Sequence, residues 1–172
     1  MTDVNTDILI VGAGPAGSTA ARFLAQAGQS VLLLEAAQHP RHKTCAGGLP
    51  GRTLQTFDLD VTPVVEASVA TVTLDGGWRQ RHVLDVSGET SPAAVVVRRD
   101  RFDAFLAEAA VAAGAELRQK CRIRKARFQD GKAVLHSERD TFRAPTLLIA
   151  DGACSSTARQ LGFERNRLGF CL

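Results

Sequence analysis

Hydrophobic positions in the first 35 residues change period twice. Asp7 to Val11 is a short run of continuous apolar character, as expected of a strand covered on both faces. Ala16, Ala20, Phe23, Leu24 and Ala27 then recur at helical spacing and predict one apolar helix face. Gly28 closes that helix, and Val31 to Leu34 reads as the next buried strand. Two strands around one helix predict a right-handed parallel βαβ unit. Residues 39–58 are rich in Pro, Gly and basic residues and read as a loop. Short β-rich pieces at 71–74 and 82–86, with Gly76-Gly77 between them, predict an antiparallel excursion. A second helix is expected from Arg99 to Ala113, presenting Phe102, Phe105, Leu106, Ala109, Ala110 and Ala113 on one face, with Gly114 as its stop. Strands follow around 122–128 and 133–136, joined by the turn signal Asp130-Gly131. Leu147 to Ala150 is a further short buried strand, and 155–161 a short helix. These elements imply an α/β fold: a Rossmann-like domain formed by residues 1–60 and 98–172, with a β-rich segment at 61–97 that begins a substrate domain.

Composition narrows the class. The chain has 172 residues, 45% hydrophobic and 23% charged, which suits a globular protein with a real core. Aromatics are only 5%, with no Tyr, so that core must be aliphatic. A formal net charge of +3 is too mild to imply a nucleic-acid surface. No apolar run approaches the length of a membrane span, and the N-terminus lacks the basic-then-apolar form of a secretory signal. Cys45, Cys121, Cys154 and Cys171 are scattered, which reads as free thiols in a reducing cytoplasm. Trp78 and the 71–86 strands read as walls of the substrate domain.

The clearest chemical signal is Gly12-Ala13-Gly14-Pro15-Ala16-Gly17, lying between the first strand and the first helix. Gly12 allows the tight turn, Gly14 lets a pyrophosphate approach the backbone, and Gly17 lets helix and strand pack closely. The helix start offers amides and partial positive charge to phosphates. Glu35, with Ala36 after it, ends the next strand 18 residues past Gly17. Its carboxylate can accept hydrogen bonds from ribose hydroxyls, and it disfavours a 2′-phosphate. This order predicts dinucleotide binding but does not separate FAD from NAD.

The remainder of the chain does separate them. Pro40-Arg41-His42-Lys43-Thr44-Cys45-Ala46-Gly47-Gly48-Leu49 resembles the PRxKxCxGG-type loop of the geranylgeranyl reductase family, within the aromatic-hydroxylase-like FAD-dependent oxidoreductases. Arg99-Asp100-Arg101-Phe102-Asp103 is similar to the RxxFD helix start of that superfamily. Ala150-Asp151-Gly152-Ala153-Cys154-Ser155, followed by Arg159, is similar to its second flavin motif. The resemblance implies that FAD is the cofactor and that NAD(P)H or another reductant recharges it. It also implies that Arg99 reaches the FAD phosphate and ribitol region, that Asp151 and Gly152 lie near its ribose or pyrophosphate, and that backbone groups near Ile123 meet adenine. The loop carrying Cys45, Ala46 and Gly47 is then expected beside the flavin ring, with Cys45 as the catalytic proton donor. Neighbouring Arg41, Lys43, His39 and His42 would lower its thiol pKa. The bland alternative for Cys45 is a small hydrophobe in a structural loop.

Arg98, Arg99 and Arg101 cluster at a helix start, where cations are disfavoured, so a nearby anion is expected. No metal is expected, because Arg41 and Lys43 would oppose a cation at His39, His42 and Cys45. The implied reaction is reduction of carbon–carbon double bonds in an isoprenoid or similar apolar substrate, with room for peripheral membrane contact. The alternatives are a flavin-dependent monooxygenase and a non-catalytic dinucleotide-binding fragment. The superfamily's third flavin motif, a strand followed by Gly-Asp-Ala and a helix, is not found after Gly152. The chain is therefore expected to be incomplete at its C-terminus. Leu147–Ala150 would then lie near a sheet edge, and the chain alone would bind FAD weakly, aggregate and show no reductase activity without a partner chain.

Overall fold

The computed structural model describes residues 2–77, 81–85 and 94–164. Trp78, Cys171 and the end of the 82–86 piece lie outside them. Two compact units emerge. One comprises Met1–Arg41 with Asp103–Leu172, the other His42–Phe102.

In the first unit, β1 (Thr2–Asn5), β2 (Ile8–Val11), α1 (Pro15–Gln26) and β3 (Val31–Leu34) lead off. The second unit carries β4 (Gly48–Pro50), α2 (Gly51–Thr56), β5 (Val65–Val69), β6 (Thr71–Asp75), β7 (Arg81–Asp85) and β8 (Ala94–Val97). Helix α3 (Arg99–Ala112) returns the chain to the first unit. There β9 (Glu116–Arg118), β10 (Lys125–Gln129), β11 (Lys132–His136), β12 (Asp140–Ala144), β13 (Thr146–Ile149) and α4 (Ser156–Gln160) follow.

The first unit is built on a parallel sheet of order β13-β2-β3-β9. Successive side chains of a strand point to opposite faces. Leu9, Val11, Leu32 and Leu34 therefore form one face, packed with Ile123, Ala126, Leu135, Phe142 and Ala144. Ile8, Ile10, Val31 and Leu33 form the other, packed with Ala21 of α1 and Ala110 of α3. Both faces are covered, which is why these strands read as unbroken apolar runs. The covering sheet, of order β1-β12-β11-β10, closes through the hairpin β10–β11. Its turn places both Asp130 and Gly131 at positive φ, the geometry that the Asp-Gly pair favours. Leu9 and Leu33 are fully buried, and truncating either to Ala should cost about 2–5 kcal/mol.

Several expectations need correction. The buried stripe of α1 is Gly17, Ser18, Ala21 and Arg22, while Phe23 is half exposed and Ala16 and Ala27 are exposed. Close approach at Gly17 turns the small residues toward the sheet, so the larger apolar side chains do not set the buried face. The basic loop at 39–58 contains β4 and α2. Because β4 pairs with β8, and β8 with β5, Gly48–Pro50 is hydrogen-bonded into the β-rich unit, which spans His42–Phe102. Strands β9 and β12 were not anticipated, and the strand expected from 122 starts only at Lys125. Among the described residues β13 stands at the edge of the parallel sheet, and β6 and β7 do form the antiparallel ribbon.

Candidate functional site

Strand β2 runs into Gly12, whose amide donates to the Leu34 carbonyl at 2.8 Å. Gly12 sits at φ +100°, and a Cβ there would lie 2.5 Å from the Ala150 carbonyl oxygen. A Cβ on Gly17 would lie 1.8 Å from the Gly12 carbonyl oxygen. Packing of the chain against itself therefore requires both residues. Gly14 is different. Among the described residues, a Cβ there would meet only Nη2 of Arg41 within 4 Å, at an ordinary 3.6 Å. The fold does not need a glycine at this position, whereas close approach of a ligand does. Helix α1 starts directly after it with Pro15, has no side-chain cap and has no acidic residue in its first turn. Its opening amides lack intrahelical acceptors, which is the arrangement that receives phosphate.

Glu35, at the end of β3, is 6% exposed. Its Oε2 accepts from the Ala13 amide at 3.0 Å and its Oε1 from the Ala37 amide at 2.9 Å. Burial alone would raise its pKa. The Ala37 amide, the Arg41 charge, the Ala13 amide and His39 outweigh burial and hold the carboxyl below its ordinary value. His39 donates from Nε2 to the Ala13 carbonyl at 3.1 Å, so both polar groups of Ala13 are tied down. Arg41 stands 3.5 Å from both Glu35 oxygens and 3.1 Å, through Nη1, from Oδ2 of the fully buried Asp103. In sequence, Arg41 belongs to the Pro40–Leu49 loop and Asp103 to the Arg99–Asp103 helix start, and nothing there joins the two. The signal for burial of Asp103 was its place among the apolar positions of α3.

Asp151 follows β13, its Cα 2.8 Å from where a Gly12 Cβ would sit. Its Oδ2 accepts from the Thr157 hydroxyl at 3.0 Å, and its Oδ1 is buried with no hydrogen-bond partner among the described residues. Ser155 caps α4 through the Ala158 amide at 2.8 Å. The structure thus gathers the Gly12–Gly17 turn, Glu35, Arg41, Asp103 and Asp151 in one unit. A cavity of about 650 Å³ opens beside Ala36, lined in part by Arg118, Lys120, Cys121, Arg122 and Arg139. Ile123 is not among its lining residues, because its side chain is buried in the core with Leu34 and Phe142.

Cys45, Ala46, Gly47 and Arg99 belong to the other unit. The Cys45 side chain is exposed, and its Sγ accepts from the Gly47 amide at 3.4 Å. Gly47 has a packing reason of its own: at φ +76°, a Cβ would lie 1.9 Å from the Val97 carbonyl oxygen. Among the described residues, nothing lies within 4 Å of a Cβ position at Gly48. The arginine cluster also has an internal explanation. Arg98 pairs with Asp100 at 2.6 Å and Arg101 with Glu66 at 2.9 Å, so neither needs an external anion.

The sequence matches the family described as FAD binding domain over residues 5–169. The chain belongs to this FAD-binding domain family. The open position at Gly14, the uncapped start of α1 and the orphaned Asp151 oxygen fit such a cofactor. An uncharacterized protein of Methanosarcina barkeri is 29% identical over 167 residues, covering 96% of this chain and 42% of that protein. Protein FixC of Escherichia coli K12 is 34% identical over 168 residues, covering 92% of this chain and 39% of that protein. This FAD-binding chain thus spans about two fifths of those relatives. Among solved structures, a geranylgeranyl bacteriochlorophyll reductase-like protein from Thermoplasma acidophilum superposes with a TM-score of 0.82 at 26% identity, covering 93% of this chain and 42% of that one. The myxobacterial halogenase CndH shares the fold, with a TM-score of 0.77 at 20% identity over 91% of this chain and 39% of that one. No helix among the described residues is long and apolar enough to cross a membrane.

Proposed function

We propose that this chain is the FAD-binding part of a flavin-dependent oxidoreductase that reduces carbon–carbon double bonds of an isoprenoid or similarly apolar substrate. The observation that carries FAD binding is Gly14. It is the one glycine of the turn that the fold does not require, and it lies at the start of an uncapped helix, with buried Glu35 closing the turn beside it. The flavin supplies the redox chemistry when bound, and the protein supplies placement and electrostatics. The opening amides of α1 face the pyrophosphate. Glu35 retains acceptor capacity for ribose hydroxyls beyond its two amide partners, and its charge excludes a 2′-phosphate. Asp151, Gly152 and Arg99 serve the phosphate and ribitol region, and backbone groups near Ile123 serve the adenine.

The substrate class is supported by the Pro40–Leu49 loop and by the likeness to the geranylgeranyl bacteriochlorophyll reductase-like structure. In this reading Cys45 delivers the proton that completes reduction of the double bond. Its exposed thiol and the open space at Gly48 suit such a role. NAD(P)H or another donor supplies the electrons. The FAD-binding domain is residues 1–60 and 98–172 in this proposal, with 61–97 facing substrate. The test is to purify the chain, record its flavin absorption, and assay dithionite- or NAD(P)H-driven reduction of geranylgeranyl lipids. Bound flavin with alkene reduction is expected from a form of the enzyme with its substrate domain. Substrate-dependent oxygen consumption without alkene reduction would instead identify a monooxygenase.

A further inference from the structure

We infer that Arg41 receives the pyrophosphate of the bound dinucleotide, exchanging Glu35 for it while Asp103 keeps hold of the guanidinium. This rests on the proposed binding of FAD at the Gly12–Gly17 turn. Among the described residues, Nη2 of Arg41 is the one atom within 4 Å of the Cβ position at Gly14 that lies outside its chain neighbours, so the guanidinium borders the space that an approaching pyrophosphate would enter. The two grips on Arg41 are unequal. Nη1 lies 3.1 Å from Asp103, whereas Nε and Nη2 lie 3.5 Å from the Glu35 oxygens.

Glu35 does not depend on Arg41 for satisfaction, because the Ala13 and Ala37 amides each donate to one of its oxygens. Releasing Nη2 leaves those bonds intact and frees a Glu35 lone pair for a ribose hydroxyl. Asp103 is fully buried and cannot exchange its cation for water, so it anchors Nη1. A guanidinium fork suits this division, since it can bind one anion on each terminal nitrogen. Electrostatics point the same way. Glu35 and Asp103 both face this guanidinium, and a pyrophosphate arriving near Glu35 would be repelled unless Arg41 stood between them. Asp103 is then a positioning residue. It fixes the cation that lets one turn accept both a ribose and a phosphate beside the same carboxylate.

The experiment compares adenosine, ADP and FAD binding to the 172-residue chain by titration. In the wild type, ADP is expected to bind more tightly than adenosine and to compete with FAD. Arg41→Gln should weaken ADP and FAD about 10- to 100-fold. Adenosine affinity should change by less than about threefold. Asp103→Asn should give a smaller loss that is again confined to the phosphate-bearing ligands. Equal loss of ADP and adenosine in a folded Arg41→Gln chain would mean that Arg41 only braces Glu35, and would overturn the inference. Should that variant not fold, Asp103→Asn makes the same comparison, and an equal loss of ADP and adenosine affinity in it overturns the inference. A wild-type chain in which ADP does not compete with FAD would fail differently: it would remove the dinucleotide site itself.

Discussion

In the Gly12–Gly17 turn, chain packing requires the outer glycines and leaves the middle one open. In the Cys45–Gly48 loop, packing requires Gly47 and leaves Gly48 open. Each loop thus combines a glycine that the chain needs with one that it does not. Their bracing differs. The first turn is tied through Ala13 to buried Glu35 and to His39, with Arg41 and buried Asp103 behind. In the second, the Gly47 carbonyl accepts from the Val97 amide, but the Cys45 thiol is exposed. A preorganised turn suits holding a cofactor's phosphates, whereas an exposed thiol suits contact with something that comes and goes. The comparison teaches that glycine count alone does not mark a binding loop. The informative glycine is the one whose side the protein leaves empty.

The harshest way to break this comparison is to fill a required position. Gly17→Val places its Cβ against the Gly12 carbonyl and should destabilise the chain by more than about 4 kcal/mol, leaving little folded protein by circular dichroism. Gly47→Val should do the same to the second unit. Next comes the open position. Gly14→Val should leave the melting temperature near wild type while weakening FAD binding about 100-fold, or roughly 3 kcal/mol. Unchanged flavin affinity would put the cofactor elsewhere.

Glu35→Gln removes the charge that organises the first turn and should cost about 1–3 kcal/mol at neutral pH. The folded carboxyl titrates below its ordinary value of 4.5, so its ionised form stabilises the fold above that pH. That contribution falls away as pH drops through the lower folded value. Denaturant titrations of wild type and Glu35→Gln should therefore converge in acid and separate toward neutrality. A constant gap across pH would show that the loss is one of shape.

The gentlest change is Cys45→Ser. On an exposed side chain it should shift stability by less than about 0.5 kcal/mol and leave flavin content unchanged. Slower alkene reduction is expected if the thiol delivers the proton, and wild-type turnover would return Cys45 to a structural role.

Local pattern alone determined a good deal. The apolar runs at β2 and β3, the glycine turn, helix α3 and the Asp130-Gly131 hairpin are all legible in sequence, because each is set by neighbours a few residues away. What only the tertiary structure decided were long-range matters. The buried face of α1 is set by the backbone contact of Gly17 with Gly12, not by its larger apolar residues. β4 and β12 rest on distant strands that offer them hydrogen-bond partners, β8 for one and β1 for the other. Two of the arginines at the start of α3 have partners within the chain, Asp100 for Arg98 and Glu66, 35 residues earlier, for Arg101. The joining of Glu35, Arg41 and Asp103 likewise has no sequence period. Charges pair across whatever distance the fold closes, and burial of Asp103 turns one of those pairs into an anchor.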